Sequence, residues 1–295
     1  MSDDLADGAF GAARWPAPAK INRFLHITGR RDDGYHRLQT LFQFLEWGDE
    51  LTIAPRDDGV ISGRGAPPGV PPEADLAQRA ARALRDATGA RLGADITIHK
   101  RIPAGSGLGG GSSNAATVLV ALNTMWGCNL SSPELATLGL ALGADIPVFV
   151  HGHACWAEGV GEVLRDETPD EPWLLLALPG AGVATAAAFR DPALRRDCPP
   201  VTMADFTSGR CGNVFEPVAR RLAPEVDHAM KALAGACEGV PVAMSGTGSA
   251  CYATFHERAA ARIAQSRMPA GARTLVVRAT NRSPLRLASP PPVGR

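Results

Sequence analysis

A chain of 295 residues, 45% of them hydrophobic, is long enough for one large domain or two ordinary ones. Lysine plus arginine equals aspartate plus glutamate at 30 each, so no net field draws the chain to nucleic acid or to an anionic membrane. The acidic start has no apolar stretch, no run approaches the ~20 apolar residues of a membrane span, and six scattered cysteines without a CxxC pair read as the reduced thiols of a cytoplasmic protein.

Residues 1–14 are expected to form a loose arm. From Ala19 to Thr28 the chain alternates, with Ile21, Leu25 and Ile27 on one face and Lys20, Asn22, Phe24 and His26 on the other, which predicts a strand. A charged turn, Gly29 to His36, leads into an apolar stretch at Leu38–Trp47 and a strand at Glu50–Ala54. Pro55–Pro72 reads as loop around a short strand at Val60–Ile61. Glu73–Thr88 has helical spacing and stops at Gly89, and Asp95–Lys100 is a strand. A stripe from Ala115 to Trp126 predicts a helix, and a second starts with Ser132 as N-cap and Pro133 in its first turn, running to Gly143.

The charged, proline-flanked stretch Arg165–Pro172 marks the expected boundary between a domain of residues 1–165 and one of 166–295. Beyond it the pattern predicts a strand at Trp173–Leu178, a helix near Thr185–Phe189, a polar loop to about Gly212 and a helix at Glu216–Leu233. Strands at Val242–Ser245 and Ala250–Phe255 flank Ser245-Gly-Thr-Gly-Ser249, followed by a helix at Glu257–Ser266 and a strand at Thr274–Thr280. This order suits an antiparallel sheet with helices on one face. Arg282–Arg295 is expected to be a disordered tail.

Five glycines fall within residues 105–111 (Gly105, Gly107, Gly109, Gly110 and Gly111), and the hydroxyls of Ser112 and Ser113 follow at the start of a helical pattern. Glycine lets backbone N–H groups face a ligand without a Cβ in the way, and the helix start adds unpaired donors and partial positive charge. Together they make a cradle for an anion, most often phosphate. A P-loop would need lysine after the last glycine, where this chain has Ser112. The dinucleotide fingerprint matches Gly105-Ser-Gly107-Leu-Gly-Gly110, but the strand with an acidic end that should follow is replaced by a helix end at Gly127 and a new helix.

Five separated blocks are similar to the GHMP kinase superfamily, in that superfamily's order. They are Pro18-Ala-Lys-Ile-Asn22, Arg31-Asp-Asp-Gly-Tyr-His36, the glycine loop from Pro103, Leu142-Gly-Ala-Asp-Ile-Pro-Val-Phe149, and Ser245-Gly-Thr-Gly248. The resemblance runs from about Trp15 to about Thr280 and is weakest over 190–235. It implies an α+β fold of two domains, a ribosomal protein S5 domain 2-like N-terminal domain and a ferredoxin-like C-terminal domain, with ATP and a small-molecule acceptor meeting between them. Within the superfamily the chain looks like the branch whose acceptor is a cytidyl diphosphate sugar alcohol on the non-mevalonate route to isoprenoid precursors.

The resemblance also implies roles for individual residues. ATP would be held by Lys100 and by Pro103, Ala104, Gly105, Ser106, Gly107, Leu108, Gly109, Gly110, Gly111, Ser112 and Ser113, with the two hydroxyls bonding a phosphate oxygen or helping to place Mg²⁺. Lys20 and Asp145 would be the catalytic pair, with Asp145 also binding the acceptor beside Asn22. Tyr35, His36, Thr185 and Phe189 would bind the cytidyl end, where a pyrimidine needs an aromatic face to stack on. The residues alone leave plainer readings open: an N-cap for Asp145 or Ser112, a solvated lysine at 100, a surface turn at His36, a buried helix face at Phe189 and a hairpin at Ser245.

Overall fold

The computed structural model describes residues 11–32 and 34–288. Strand β1 (Ala13–Arg30) and strand β2 (His36–Arg56) form a long antiparallel hairpin. The alternation at 19–28 is therefore the middle of an 18-residue strand, and the expected arm lies outside the described residues only up to residue 10. Pro16 and Pro18 continue β1 because this part of the strand pairs with β2 alone and its other edge needs no N–H donor. The apolar stretch and the strand read separately at 38–54 are one 21-residue strand, which also takes in His36.

Strand β3 (Ile61–Arg64) starts one residue later than expected and runs parallel to β4 (Gly93–His99). Between them lies helix α1 (Leu76–Thr88), whose cap Asp75 accepts the Ala77 N–H, so the helix begins later than Glu73. Helices α2 (Gly110–Met125), α3 (Ser132–Leu142) and α4 (Ile146–His151) follow. The cap of α3 is Ser131, not Ser132: the Glu134 carboxylate accepts the Ser131 N–H at 2.8 Å in a capping box. A hairpin of β5 (Cys155–Glu158) and β6 (Val163–Asp166), unread in the sequence, extends β2 sideways.

The second half holds β7 (Trp173–Ala177), α5 (Thr185–Arg190) and a short α6 (Met203–Thr207) inside the expected loop. The single helix expected at 216–233 is two, α7 (Glu216–Leu222) and α8 (Pro224–Ala236). Pro224 forces Ala223 into an extended conformation (φ −134°, ψ 97°), which breaks the helix. Strands β8 (Val242–Met244) and β9 (Cys251–Phe255), helix α9 (Arg258–Ser266), strand β10 (Thr274–Thr280) and helix α10 (Pro284–Leu287) complete the fold. The expected disorder from residue 282 is corrected as far as 288, because α10 buries Leu285 in the first core. The rest of that tail lies outside the described residues.

The strands join into a sheet of order β3-β4-β2-β10-β7-β9-β8. Apart from β3 with β4, every pair is antiparallel. β10 is the hinge of the arrangement: it pairs with β7 over five residues and with β2 at Ala279–Leu45 and Thr280–Phe44. One core packs Phe44, Leu51, Ile96, Leu119 and Phe149, and a second packs Leu175, Phe215, Val226 and Ala253. A third, with Ile21, Leu108, Leu174 and Tyr252, joins the two halves. None of the helices among the described residues is long and apolar enough to cross a membrane.

Candidate active site

The β1–β2 ladder shifts register between Pro18 and Lys20 and again between Asn22 and Leu25. The segment between the shifts is thus re-aimed relative to the rest of the strand. Lys20 and Asn22, two residues apart on one face, line a cleft of about 1500 Å³. The Lys20 ammonium is almost fully enclosed: it donates to Asn22 Oδ1 at 2.7 Å and to Gly107 O at 3.3 Å, and lies 5.1 Å from the centre of the Phe42 ring. Its carboxylate partner is Asp145 Oδ2 at 3.2 Å. Asp145 immediately precedes α4, yet its side chain caps no N–H and points instead to Lys20. At 39% exposure, Asp145 is open to the cleft while Lys20 is not.

The glycine loop is stitched between the two halves. Lys20 N–H donates to Leu108 O at 3.1 Å, and Ala250 N–H donates to Ser106 O at 2.9 Å. Gly107 (φ +74°) touches the Ser245 turn so closely that a Cβ there would lie 2.2 Å from Ser245 O. Gly109, also at φ +74°, is the cap of α2, and a Cβ on it would meet the Phe149 ring at 2.8 Å and Lys20 Cε at 3.2 Å. The first helical bond of α2 runs from Ser113 N–H to Gly109 O at 2.8 Å, so the N–H groups of Gly110, Gly111 and Ser112 precede the ladder at the cleft wall. The Ser245 hydroxyl donates to Gly107 O at 3.0 Å and accepts from Asn22 N–H at 3.1 Å.

Beside this cradle, the fully buried carboxylate of Asp49 gathers four donors. Oδ1 accepts from the N–H groups of Arg101 (2.7 Å) and Ile102 (2.8 Å), and Oδ2 from Lys100 Nζ (2.5 Å) and Asn114 Nδ2 (2.9 Å). Lys100 therefore stands at the cleft wall, 21% exposed and ion-paired, rather than loose in solvent.

At the far end of the cleft, Tyr35 stands 65% exposed at the lip. The His36 and Phe189 rings lie 5.2 Å apart at 32°, and Phe189 in turn meets Phe215 edge-on at 4.8 Å. Burial, followed by the charges of Arg196 and Arg30, holds the His36 imidazole below its ordinary pKa, so the ring is neutral near pH 7. Thr185, at the start of α5, shares a hydrogen bond of 3.1 Å with Thr247 of the Ser245 turn.

Of the residues singled out in the sequence, Lys20, Asn22, Tyr35, His36, Lys100, Pro103 to Gly107, Gly109 to Ser112, Asp145, Thr185 and Phe189 all line this one cleft. Leu108 and Ser113 do not. Leu108 is buried in the third core, and the Ser113 hydroxyl is enclosed without a hydrogen-bond partner. Ser112 lies inside the first turn of α2, so it is not the cap; Gly109 is. The sequence reading missed Asp49, Asn114, Arg196 and Asn213, whose Nδ2 donates to Met244 O and Gly246 O at 2.8 Å each and braces the Ser245 turn. Asp49 had a signal: it shares the inward phase of Leu45, Leu51 and Ile53, an acid in an apolar row.

An enclosed ammonium and an open carboxylate at the edge of a donor-rich loop can hold a polyanion and align a hydroxyl against it. Comparison with known proteins agrees with that chemistry. Residues 75–153 match the family described as GHMP kinases N terminal domain, and residues 202–273 match GHMP kinases C terminal. A 4-diphosphocytidyl-2-C-methyl-D-erythritol kinase of Xanthomonas axonopodis pv. citri is 52% identical over 273 residues, 92% of each chain. One of the same description from Alkalilimnicola ehrlichii is 55% identical over 257 residues, 87% of each chain. Among solved structures, a 4-(cytidine 5'-diphospho)-2C-methyl-D-erythritol kinase superposes with a TM-score of 0.77 at 34% identity, covering 90% of this chain and 99% of the other. A homoserine kinase from Cytophaga hutchinsonii shares the fold, with a TM-score of 0.65 at 16% identity over 96% and 98% of the two chains.

Proposed function

Since the chain belongs to the GHMP kinases, we propose that its cleft transfers the γ-phosphoryl group of ATP to the 2-hydroxyl of 4-diphosphocytidyl-2-C-methyl-D-erythritol, giving the 2-phosphate and ADP in isoprenoid precursor synthesis. The observation that carries this reading is the Lys20–Asp145 pair at 3.2 Å, abutting the glycine loop at one end of a cleft whose other end is aromatic. The N–H groups of Gly110, Gly111 and Ser112 and the Lys100 ammonium receive the triphosphate. Asn22 and Asp145 hold the acceptor. The Asp145 carboxylate accepts the hydrogen bond of the 2-hydroxyl and takes its proton as the new P–O bond forms, while the bond from the γ-phosphorus to the ADP oxygen breaks. Lys20 orients that carboxylate through their 3.2 Å ion pair and neutralises charge that spreads over the phosphoryl oxygens.

Tyr35, His36, Thr185 and Phe189 form the cytidyl end, where stacking on one aromatic face is worth about 1–3 kcal/mol. The described residues contain no cluster of three metal-ligating side chains, which suits a Mg²⁺ that arrives on the nucleotide and takes few protein ligands. Ser112 and Asp145 are the cleft oxygens that would hold it, and when bound it would offset phosphate charge. We assign the reaction to the cytoplasm, on the sequence's cysteine usage, and the domain boundary to residues 165–166, with α10 returning to the first domain.

The test is ADP release with the cytidyl acceptor, with homoserine and with mevalonate. Turnover is expected with the first, and turnover with either of the others alone rejects the assignment. Asp145→Asn is expected to lower kcat by about 10²–10⁴-fold while leaving ATP-analogue affinity nearly intact. Near-full turnover in that variant would reduce Asp145 to a helix-terminal residue.

A further inference from the structure

Arg196 lies seven residues beyond Phe189, in a loop that carries no helix or strand, and every nitrogen of its guanidinium is engaged. Nη2 donates to Phe189 O and Asp191 O at 2.8 Å each, and Nη1 donates to Leu194 O at 3.0 Å. These acceptors lie at and just beyond the C-terminal end of α5, so the fork holds the turn from which the Phe189 ring projects. Nε donates to His36 Nε2 at 3.3 Å, on β2 of the other half of the molecule.

A guanidinium has donors only and does not lose its proton in a protein. The imidazole nitrogen facing Arg196 Nε must therefore be the one with the lone pair, and in a neutral ring the hydrogen then sits on Nδ1. We propose that Arg196 is the positioning residue of the cytidyl end: it ties the His36 and Phe189 walls together and fixes His36 as the neutral Nδ1–H tautomer, which presents a donor to a pyrimidine edge. This inference rests on the kinase reading for the identity of the ligand, but not for the state of the imidazole.

The groups facing His36 are consistent with this. Arg30 ends β1 directly across the ladder, Arg190 ends α5, and Tyr35 precedes His36 in the turn. Among the described residues, the acids that line the cleft are Asp75 and Asp145, which precede α1 and α4. Removing Arg196 takes away one of two cationic charges that hold the imidazole below its ordinary pKa, so its titration must move up in pH.

The test uses the full chain carrying ¹⁵N-histidine, as wild type, Arg196→Met and Arg196→Lys. Imidazole nitrogen spectra should show His36 of the wild type as neutral Nδ1–H at pH 7 to 8. In Arg196→Met the two tautomers should mix and the titration should move upward. Steady-state rates should then show KM for the cytidyl acceptor at least tenfold higher, rising further as pH falls toward 6, while KM for ATP stays within twofold and kcat within threefold. Arg196→Lys keeps a cation but no fork, so its KM should fall between the two, and it serves in place of Arg196→Met if that variant loses its fold. An Nε2–H tautomer in the wild type, or an unchanged titration and acceptor KM in both variants, overturns the proposal. A wild type that ignores the cytidyl acceptor instead rejects the kinase reading, while the imidazole spectra still decide the role of Arg196.

Discussion

Asp49 has the most demanding environment of any single side chain in the site. Its carboxylate is fully enclosed, and it is satisfied only because two backbone N–H groups, one amide and one ammonium converge on it. A buried charge of that kind is stable when every lone pair has a donor, and costly once the charge or a partner is removed. Asp49→Asn keeps the shape but turns one oxygen into an NH₂ group that faces donors on Lys100 and Asn114 or on the backbone. The expected loss is about 3 kcal/mol of folding stability, read as a lower urea midpoint at unchanged slope. KM for ATP should rise as well, because Arg101 and Ile102 anchor the entry to the glycine loop. A midpoint equal to that of the wild type would mean that the four donors find partners elsewhere.

At the level of elements, what could be read from the sequence depended on whether the signal was local. The glycine loop and α2 were legible because close approach and positive φ demand glycine at Gly107 and Gly109 whatever surrounds them. Helix α1 and the core of β1 were legible from their period. The outer part of β1 was not, because Pro16 and Pro18 are tolerated only where a strand has a free edge, and that is a property of the sheet. The pairing of Lys20 with Asp145, and of His36 with Phe189, was visible only through the family's motif order; no local rule brings residues that far apart in sequence together. Helix α10 shows the limit most clearly. Four residues in a proline-rich tail have no period to detect, yet Leu285 is 2% exposed against the first core, Ser283 caps the helix, and Arg286 reaches Ser132 Oγ at 2.7 Å. Leu285→Ala should therefore cost about 2–4 kcal/mol in equilibrium unfolding, with the acceptor KM unchanged. A cost under a few tenths would return this segment to the loose tail that its composition suggests.

Across the whole molecule, each of the three cores encloses at least one acid whose neutral form is favoured by burial. Cys155 lies in the first core, Cys251 in the second and Tyr252 in the third. Burial pushes both thiols up to about 12 from 9.0, and the phenol up to about 12 from 10.0. The Tyr252 hydroxyl donates to Asn22 O at 3.0 Å, so the third of these groups also tethers the strand that carries Lys20. A raised pKa means that the folded chain holds the proton more tightly than the unfolded one. The associated stability is complete below the unfolded value and disappears as pH climbs to the folded value. Unfolding free energy should thus be flat from pH 7 to 8.5, begin to fall near pH 9 as the thiols of the unfolded chain ionise, and steepen above pH 10 when tyrosine joins them. The limit is roughly 3–4 kcal/mol per group. The chain has only three lysines, Lys20, Lys100 and Lys231, and unfolded lysine titrates near 10.4, so the onset at pH 9 belongs to the thiols. Urea unfolding at half-unit steps of pH measures the curve. Cys155→Ala and Cys251→Ala should each flatten its first limb, and Tyr252→Phe should flatten only the second. Stability that stays level to pH 11 would mean that the three cores admit hydroxide, or relax, far more readily than their packing implies.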